Sequence, residues 1–548
     1  PSFIPSAAKI MKTWVNWLSV IVLTVPLILP FLEAGYPKTH DGSWAVIRLS
    51  EMHRELKDGQ FPPRWSGYLN HGYGYPLFLF TYPFPYYAAE FLHVLGFSFV
   101  NAIKIIFMIS IFASGAGMFF LTRRWWGNGG GLISAIMYIY VPYRIVNLYV
   151  RGSLGESLAS AFFPFLVLLF ERIFYERSQM SLVLLPIVFA GFLMTHNAMS
   201  VLFLPFMLAW MGFRFASEKK VKKRFFPTVL SFGIGLAMSA FFWLPALIEK
   251  KYIVLSVNPL TDKNDYFILI SQLLSSTWHF NLIPPLPIGI IQLVWVVIGT
   301  LCLFMFSGDI KLKKQVLMLC VLTLVSIFFL FRQSLIFWQL PLLKEIDFPW
   351  RMLAVSMFWL TAASGSVFKL KAVAPIVIIG LVVVVLFNLR FIKTQPNRVT
   401  SDSYYATNDA TTTSADELMP IWAVQKPKNR PTQKIEFSSI NSRALNIVDR
   451  SNLLTFSVAN TEKAFPVQAT VNTLFFPGWK LFVNGVEKHI SIAPATGLIS
   501  FPVGMGESRV ELKFADTTIR LFSKLLSLIG TVGLFILCGY TLRKSFQY

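Results

Sequence analysis

The chain has 548 residues, of which 55% are hydrophobic and only 14% are charged, and its mean hydropathy is +0.59. Soluble domains carry nearer to a quarter charged residues, so this composition excludes an ordinary soluble protein and indicates a membrane protein. The net charge of +22 fits basic cytoplasmic loops better than nucleic-acid binding, because the sequence has no basic helix interleaved with stacking aromatic residues.

Runs of about twenty apolar residues predict a polytopic α-helical membrane protein. We predict about twelve transmembrane helices, at residues 14–31, 100–121, 132–148, 157–174, 182–195, 199–213, 228–247, 286–306, 316–331, 352–368, 373–389 and 521–540. Residues 76–96 are also apolar, but Pro76, Pro83 and Pro85 interrupt them. We therefore predict short helices at the outer interface there rather than another span.

Compact basic clusters set the orientation. Lys9 and Lys12 precede the first span, and later clusters of lysine and arginine recur in alternate loops. All of them fall on one side if residues 76–96 do not cross the membrane, so the positive-inside rule predicts that both termini are cytoplasmic. The predicted location is a plasma membrane, and the sequence has no Asn-x-Ser/Thr sequon, which favours a prokaryotic source.

The same topology divides the chain into three parts. Residues 1–390 form a transmembrane domain whose first external loop is 32–76; residues 391–520 form an extracytoplasmic linker and β-sandwich; residues 521–548 form the final helix and a cytoplasmic tail. The linker, through Pro431, has the composition of irregular chain. Beyond Lys434 the residues alternate as in strands, and Asn484-Gly485 predicts a two-residue hairpin.

Asp41, in the first external loop, is the first candidate for chemistry. An acidic residue near the outer surface fits a general base, a metal ligand or a solvated loop charge. The residues after it place Trp44, Ile47, Met52 and Leu56 on one helical face and charged residues on the other, which predicts an amphipathic helix lying flat on the membrane surface.

Three further polar clusters fall at predicted outer helix ends. They are Arg151 with Glu156, His196 with Asn197, and Trp350 with Arg351. Each has a structural alternative: an Arg–Glu pair, a helix-end hydrogen bond and an interfacial anchor, respectively. Weaker outer-face candidates are Arg64, Arg144, Glu249 and Arg332. Because all these clusters belong to one face, the topology predicts a cavity suited to a phosphorylated lipid.

The motif order resembles the GT-C fold glycosyltransferases. More closely, the chain is similar to the bacterial and archaeal membrane family labelled 6-pyruvoyl-tetrahydropterin synthase-related, and to the neighbouring YfhO-like membrane proteins. The matching stretches are residues 40–42, 151–153 with Glu156, 195–197, 348–351 and 475–480. The pterin label itself finds no support, since the sequence lacks the histidine-rich zinc site of a soluble pterin synthase.

The resemblance implies a glycosyltransferase of the cell envelope that takes a sugar from a polyprenyl phosphate on the outer face. It implies Asp41 as the catalytic base. His40 stands where many GT-C enzymes have a second acid, which leaves the use of Mg²⁺ or Mn²⁺ open. The substrate-binding residues it implies are Arg151, Glu156, His196, Asn197, Trp350 and Arg351. The expected partners are the lipid-linked donor, a glycan, lipid or protein acceptor that the β-domain would help to hold, and membrane lipids.

Two other functions fit the same pattern. One is a transporter or flippase of lipid-linked glycans, against which stand the lack of a clear repeat and the collection of polar residues at one face. The other is a non-catalytic envelope protein on the same fold, which the missing second acid beside Asp41 favours.

Overall fold

The computed structural model describes residues 7–217, 223–258, 261–275, 287–370, 374–392, 394–398, 401–462 and 466–545. The helices in these ranges are α1 (Ala7–Leu32), α2 (Gly42–Lys57), α3 (Leu77–Phe80), α4 (Phe84–Val94), α5 (Phe99–Ile139), α6 (Pro142–Val146), α7 (Leu154–Glu176), α8 (Gln179–Leu193), α9 (Asn197–Ser217), α10 (Phe225–Met238), α11 (Ala240–Glu249), α12 (Ile270–Leu273), α13 (Ile290–Phe306), α14 (Ile310–Phe328), α15 (Leu353–Ser364), α16 (Ala374–Leu389), α17 (Asp402–Ala406) and α18 (Thr518–Ser545). The strands are β1 (Tyr36–Lys38), β2 (Gln395–Arg398), β3 (Ile435–Phe437), β4 (Ser442–Arg450), β5 (Leu453–Asn460), β6 (Val467–Leu474), β7 (Trp479–Val483), β8 (Val486–Lys488), β9 (Ser491–Ile492), β10 (Leu498–Val503) and β11 (Gly506–Phe514).

Long apolar helices dominate the first two thirds of the chain. Across all the described residues, five helices are long and apolar enough to cross a membrane: Phe99–Ile139, Leu154–Glu176, Asn197–Ser217, Pro349–Lys369 and, near the end of the chain, Thr518–Arg543. A sixth candidate joins Phe225–Met238 to Ala240–Tyr252 across a bend of 66°. Shorter apolar helices are Leu18–Leu32, Gln179–Leu193, Ile290–Phe306 and Ile379–Leu389.

The predicted count of twelve crossings is not confirmed within the described ranges. Segment 228–247 is bent into two helices, and several other apolar segments form helices shorter than a bilayer requires. Segments 100–121 and 132–148 fall mostly within one element, α5, but Gly127 there has φ 83° and ψ 178°, so the helix is broken between them. Residues 76–96 form the two short helices α3 and α4, as their prolines predicted.

The helix α2, which follows Asp41, does not lie on the membrane surface. Glu51 and Glu55 on its polar face are both 0% exposed. The backbone N–H of Tyr68 donates to Glu51 at 3.1 Å, and the Ser66 hydroxyl donates to Glu55 at 2.6 Å. The interfacial prediction is therefore wrong, because the rest of the first external loop folds back and covers the charged face.

The C-terminal region contains two antiparallel sheets, with strand orders β3-β6-β10-β9 and β4-β5-β11-β7-β8. Alternate residues of β5 are buried and share one hydrophobic core with Val471 and Phe501 of the other sheet. Asn484 and Gly485 have φ angles of 52° and 79°, and β7 pairs with β8, so the predicted hairpin is confirmed. The sandwich arrangement and its extracytoplasmic location stay predictions.

A buried ion pair fixes this β-rich region to the helices. Arg520 Nε donates to Glu249 at 2.9 Å, and Arg520 Nη2 donates to the Pro477 carbonyl at 2.8 Å. The Trp479 ring lies 5.5 Å from that of Trp65 in the first external loop and is only 8% exposed. Glu249 and Trp479 therefore take part in packing between the two regions.

Candidate active site

Asp41 lies where the first external loop meets the turn before α7. The backbone N–H of His40 donates to the Val150 carbonyl at 2.9 Å, and that of Asp41 donates to the Arg151 carbonyl at 2.8 Å. The helix α2 begins at the next residue, Gly42, so Asp41 is held at a helix N-terminus by hydrogen bonds to another part of the chain.

Gly152 permits this close approach, and Gly42 gives room within the loop itself. Gly152 has φ 64°, a left-handed conformation that favours glycine, and a Cβ there would lie 2.2 Å from Thr39 Oγ1. A Cβ on Gly42 would lie 2.2 Å from Tyr36 Cε1. Gly152 thus lets the turn before α7 approach the loop that carries Asp41, and Gly42 leaves room for Tyr36 within that loop.

The Asp41 carboxylate is not engaged. It makes no hydrogen bond or ion pair within the described parts of the chain, and the residue is partly exposed beside His40. Burial is the main cause that raises the pKa values of Tyr36 and Tyr82, and the negative charge of Asp41 contributes to both increases. A fixed backbone and a free carboxylate are the conditions under which an acidic side chain can accept a proton from a bound molecule.

A π-helical turn, Asn147–Arg151, builds the neighbouring charged network. Such turns recur at functional sites. Glu156, 0% exposed, accepts hydrogen bonds from Arg151 Nη1 at 2.7 Å, from Asn147 Nδ2 at 3.0 Å and from the Tyr143 hydroxyl. Burial alone would lower the pKa of Arg151, but the charge of Glu156 reverses this and the net shift is upward. The pair is therefore a charged and rigid part of the site.

Arg351 brings a second cation to the same carboxylate. Its Nε lies 3.9 Å from Glu156 Oε2, and its side chain is 21% exposed. It makes no hydrogen bond to the residues that the structure describes, and its buried Nε is without a partner there. The Trp350 ring is only 2% exposed, 4.4 Å from Arg151 Cζ and 5.9 Å from Arg351 Cζ. The Trp350 ring thus lies close to both guanidiniums. That of Arg351 has N–H donors that no described residue uses, and such donors suit an anionic group.

His196 and Asn197 sit at the start of α9, across the cluster. His196 Nδ1 accepts from the Met199 backbone N–H at 3.3 Å, as in a helix-end hydrogen bond. The His196 ring also stacks on Tyr82, with centroids 5.1 Å apart and planes 29° apart. Asn197 Nδ2 donates to the Phe80 carbonyl at 2.9 Å. Both side chains therefore hold the segment around Tyr82 in place.

We expect His196 to make stability depend on pH. Burial, and then the charge of Arg351, lower its pKa from 6.5 to about 3. Because the unfolded chain binds this proton at a higher pH than the folded one, the contribution to stability is complete above pH 6.5 and is lost as the pH falls towards 3. Thermal unfolding of detergent-solubilised protein between neutral and acid pH should therefore decline less steeply in His196→Gln. The exposed His489→Gln is the control, and an unchanged slope in His196→Gln would contradict the assignment.

The structure adds four residues that the sequence did not single out: Arg48, Tyr82, Tyr86 and Thr412. Arg48 Nε donates to Thr412 Oγ1 at 3.1 Å, and Arg48 Nη1 lies 3.4 Å from the Tyr86 hydroxyl. The Tyr86 and Tyr82 rings are stacked 6.1 Å apart. The aromatic, proline-interrupted segment 76–96 was the sequence signal for Tyr82 and Tyr86. Arg48 had no such signal, because it belongs to the charged face of the predicted amphipathic helix, and Thr412 belongs to the predicted irregular linker.

The weaker candidates are not brought to this centre. Arg144 is buried and donates to the Ser110 carbonyl at 2.8 Å. Arg64 lies 3.5 Å from Asp516, and Arg332 is exposed. A cavity of about 650 Å³ is lined in part by Glu33 and Lys104 and by none of the residues of this centre.

Nothing in the geometry identifies a metal centre. Within the described ranges, no group of three or more His, Cys, Asp or Glu side chains is arranged to hold a metal ion. Asp41 and His40 are adjacent donors, so the use of Mg²⁺ or Mn²⁺ stays an expectation from the sequence.

Comparison with known proteins gives a family match. The profile of a family described as a 6-pyruvoyl-tetrahydropterin synthase related domain, membrane protein, matches residues 79–392, more than half of the chain. A curated relative from Lactococcus lactis subsp. cremoris, an uncharacterized protein, is 22% identical over 254 residues, which cover 44% of this chain and 41% of the relative. The match therefore spans less than half of that relative's length.

Solved structures give weaker likenesses. The arabinofuranosyltransferase AftD from Mycobacteria is 14% identical with a TM-score of 0.44, over 71% of this chain and 27% of that one. The oligosaccharyltransferase AglB of Archaeoglobus fulgidus, in complex with an inhibitory peptide and a dolichol-phosphate, is 13% identical with a TM-score of 0.40, over 79% and 62%. TM-scores this low do not establish that the chains share a fold or a function.

Proposed function

This chain belongs to the 6-pyruvoyl-tetrahydropterin synthase-related family of membrane proteins, and we propose that it is a membrane glycosyltransferase with a GT-C-like fold. It transfers a sugar from a polyprenyl-phosphate carrier to an acceptor hydroxyl on the extracytoplasmic face. The acceptor is a glycan, a lipid or a protein.

One observation carries the proposal: an unengaged carboxylate lies beside a buried network with more cationic than anionic groups. Asp41 is joined to Arg151 through a backbone hydrogen bond of 2.8 Å, and Arg151 and Arg351 share the single carboxylate of Glu156. A base and an anion site in one place fit a reaction that deprotonates one oxygen and releases a phosphate. A carrier protein for glycans would need no such base.

The proposed reaction is an inverting single displacement. The acceptor oxygen attacks the anomeric carbon while its proton passes to the Asp41 carboxylate, and the bond between that carbon and the phosphate oxygen breaks. The bonding electrons leave with the polyprenyl phosphate, and the transition state has oxocarbenium character. Inversion follows because the attacking and leaving oxygens lie on opposite faces of the sugar carbon.

The charges of the site change in the required direction during this step. With Asp41 ionised, two guanidiniums face two carboxylates, Asp41 and Glu156. When Asp41 accepts the proton, one negative charge is removed while the phosphate gains one. Arg351, with donors that no described residue uses, is the group that binds the phosphate, and Glu156 orients Arg151.

The test is transfer by purified wild-type protein in detergent or liposomes. Donors are polyprenyl phosphates that carry a radiolabelled hexose, pentose or N-acetylhexosamine, assayed with Mg²⁺, with Mn²⁺ and with EDTA. Turnover with any donor supports the proposal, and Arg351→Met should then raise the Kd for bare polyprenyl phosphate by about tenfold, as loss of a charge-assisted contact predicts. If no donor is bound or turned over, the function is one of the two others, transport or a non-catalytic envelope role.

A further inference from the structure

Tyr82 occupies a fixed place between the parts of the site. Its ring stacks on His196 at 5.1 Å, and a Cβ on Gly155 would lie 2.4 Å from its Cζ. Gly155 directly precedes Glu156, the carboxylate shared by the two arginines. Tyr82 therefore packs against the backbone that carries the anion-binding network.

The segment around Tyr82 is hydrogen-bonded to the end of α8 and to the start of α9. The Phe84 backbone N–H donates to the Met194 carbonyl at 3.0 Å, and Asn197 Nδ2 donates to the Phe80 carbonyl at 2.9 Å. These bonds flank Tyr82 on both sides along the chain. The position of its ring is thus set by the scaffold, as a binding group requires.

The Tyr82 hydroxyl is the part of the side chain that the protein leaves unused. It makes no hydrogen bond within the described residues, and Tyr82 as a whole is partly exposed. By contrast, the neighbouring Tyr86 hydroxyl contacts Arg48 and the Tyr143 hydroxyl donates to Glu156.

Charged groups from both halves of the proposed reaction act on that hydroxyl. Burial, and then Tyr86, raise the pKa of Tyr82; the charge of Asp41 acts in the same direction, and those of Arg48 and Arg351 oppose it. Tyr82 therefore stays protonated and can donate a hydrogen bond at neutral pH. Tyr82 is thus a neutral group on which the charges of both the candidate base Asp41 and the candidate phosphate ligand Arg351 act.

We propose that the Tyr82 hydroxyl binds a hydroxyl group of the transferred sugar, in a subsite between Asp41 and Arg351. His196 acts as a positioning residue, because its ring backs Tyr82 while its Nδ1 is held by the Met199 N–H at 3.3 Å. The inference rests on the proposed function, since it requires a sugar attached to the phosphate. It assigns recognition of the sugar to Tyr82 and recognition of the phosphate to Arg351.

The experiment compares two ligands on full-length protein: a polyprenyl phosphate carrying a hexose, pentose or N-acetylhexosamine, and the bare polyprenyl phosphate. Tyr82→Phe keeps the ring and removes only the hydroxyl. We expect its Kd for the sugar-bearing donor to rise by about 3- to 10-fold, the effect of one hydrogen bond, with the Kd for the bare carrier unchanged. The unchanged carrier affinity also shows that the variant is folded.

Tyr87→Phe is the matched control. Tyr87 lies five residues further along the chain, in α4, but its ring is 6.3 Å from that of Phe61, and the charges that act on its pKa are those of Glu55 and Arg64. It should leave both Kd values unchanged. Donors that each lack one sugar hydroxyl offer a second measurement. In the wild type, removing the recognised hydroxyl should raise the Kd of the donor by the same factor as Tyr82→Phe does. For that deoxy donor, Tyr82→Phe should raise the Kd no further.

The possible outcomes separate the two proposals. If wild-type protein neither binds nor turns over any sugar-bearing donor, the glycosyltransferase proposal fails and this inference fails with it. If it turns over a donor but binds that donor no more tightly than the bare carrier, the inference alone is overturned. If the wild type prefers such a donor and Tyr82→Phe keeps the full preference, the inference alone is overturned. Equal loss of both ligands in Tyr82→Phe overturns it too, since Tyr82 would then act on the phosphate or on the fold.

Discussion

Asp41→Asn should lower the rate of sugar transfer by about 10²- to 10⁴-fold, the usual contribution of a general base. Asparagine has nearly the same shape but cannot accept the acceptor's proton at neutral pH. Because the Asp41 carboxylate makes no hydrogen bond with the described residues, the unfolding temperature should remain close to that of wild type. The measurement is initial transfer rate with saturating donor, together with the Kd for bare polyprenyl phosphate, which should not change.

The matched control for Asp41 is Glu33→Gln. Glu33 is the other carboxylate close behind the first helix, and it is exposed at the cavity of about 650 Å³. Glu33→Gln should retain most of the wild-type rate of sugar transfer. Wild-type rates in Asp41→Asn would remove Asp41 from the mechanism, and a loss that appears only with added Mg²⁺ or Mn²⁺ would reassign it as a metal ligand.

The position of Asp41 relative to the family match gives this experiment extra weight. The matched region, residues 79–392, contains Arg151, Glu156, His196 and Arg351 but not Asp41. The assignment of Asp41 therefore depends on two backbone hydrogen bonds that join residues 40–41 to residues 150–151. These bonds link a loop outside the match to the network inside it.

Features with a local cause could be predicted from the sequence. The hairpin at Asn484-Gly485 forms because both turn positions require positive φ, and the strands around it follow from alternation. The structure also brings Arg151, Glu156 and Arg351 together, as expected from their positions at the ends of apolar helices. The functional roles of these residues remain predictions.

Features that depend on distant contacts could not be predicted. Arg48 has the spacing of a solvent-facing helical residue, but its partner Thr412 lies 364 positions later in the chain. The burial of Glu51 and Glu55 likewise depends on a loop that returns over the helix. The predicted number of crossings is not confirmed for a related reason, since hydropathy reports apolar length but not a bend such as the 66° break between α10 and α11.

Glu156→Gln should destabilise the protein by about 3–5 kcal/mol in the free energy of unfolding, the range for breaking a buried ion pair at one partner. Glu156 is fully buried, and the substitution leaves the guanidiniums of Arg151 and Arg351 without their shared carboxylate. The new amide group would also meet the donors of Arg151 or Tyr143. Reversible unfolding in mixed micelles measures the loss.

The same helix provides the control for Glu156. Glu176→Gln, at the other end of α7, removes a carboxylate that is 47% exposed and pairs with Arg124 and Arg172. Exposed pairs contribute about 0–1 kcal/mol, so this variant should differ little from wild type. The double variant Arg151→Met/Glu156→Gln should recover part of the loss, because it removes both buried charges of the closest pair. A Glu156→Gln protein as stable as Glu176→Gln would mean that the two guanidiniums are compensated by another anion, and the natural candidate is a phosphate retained from the membrane.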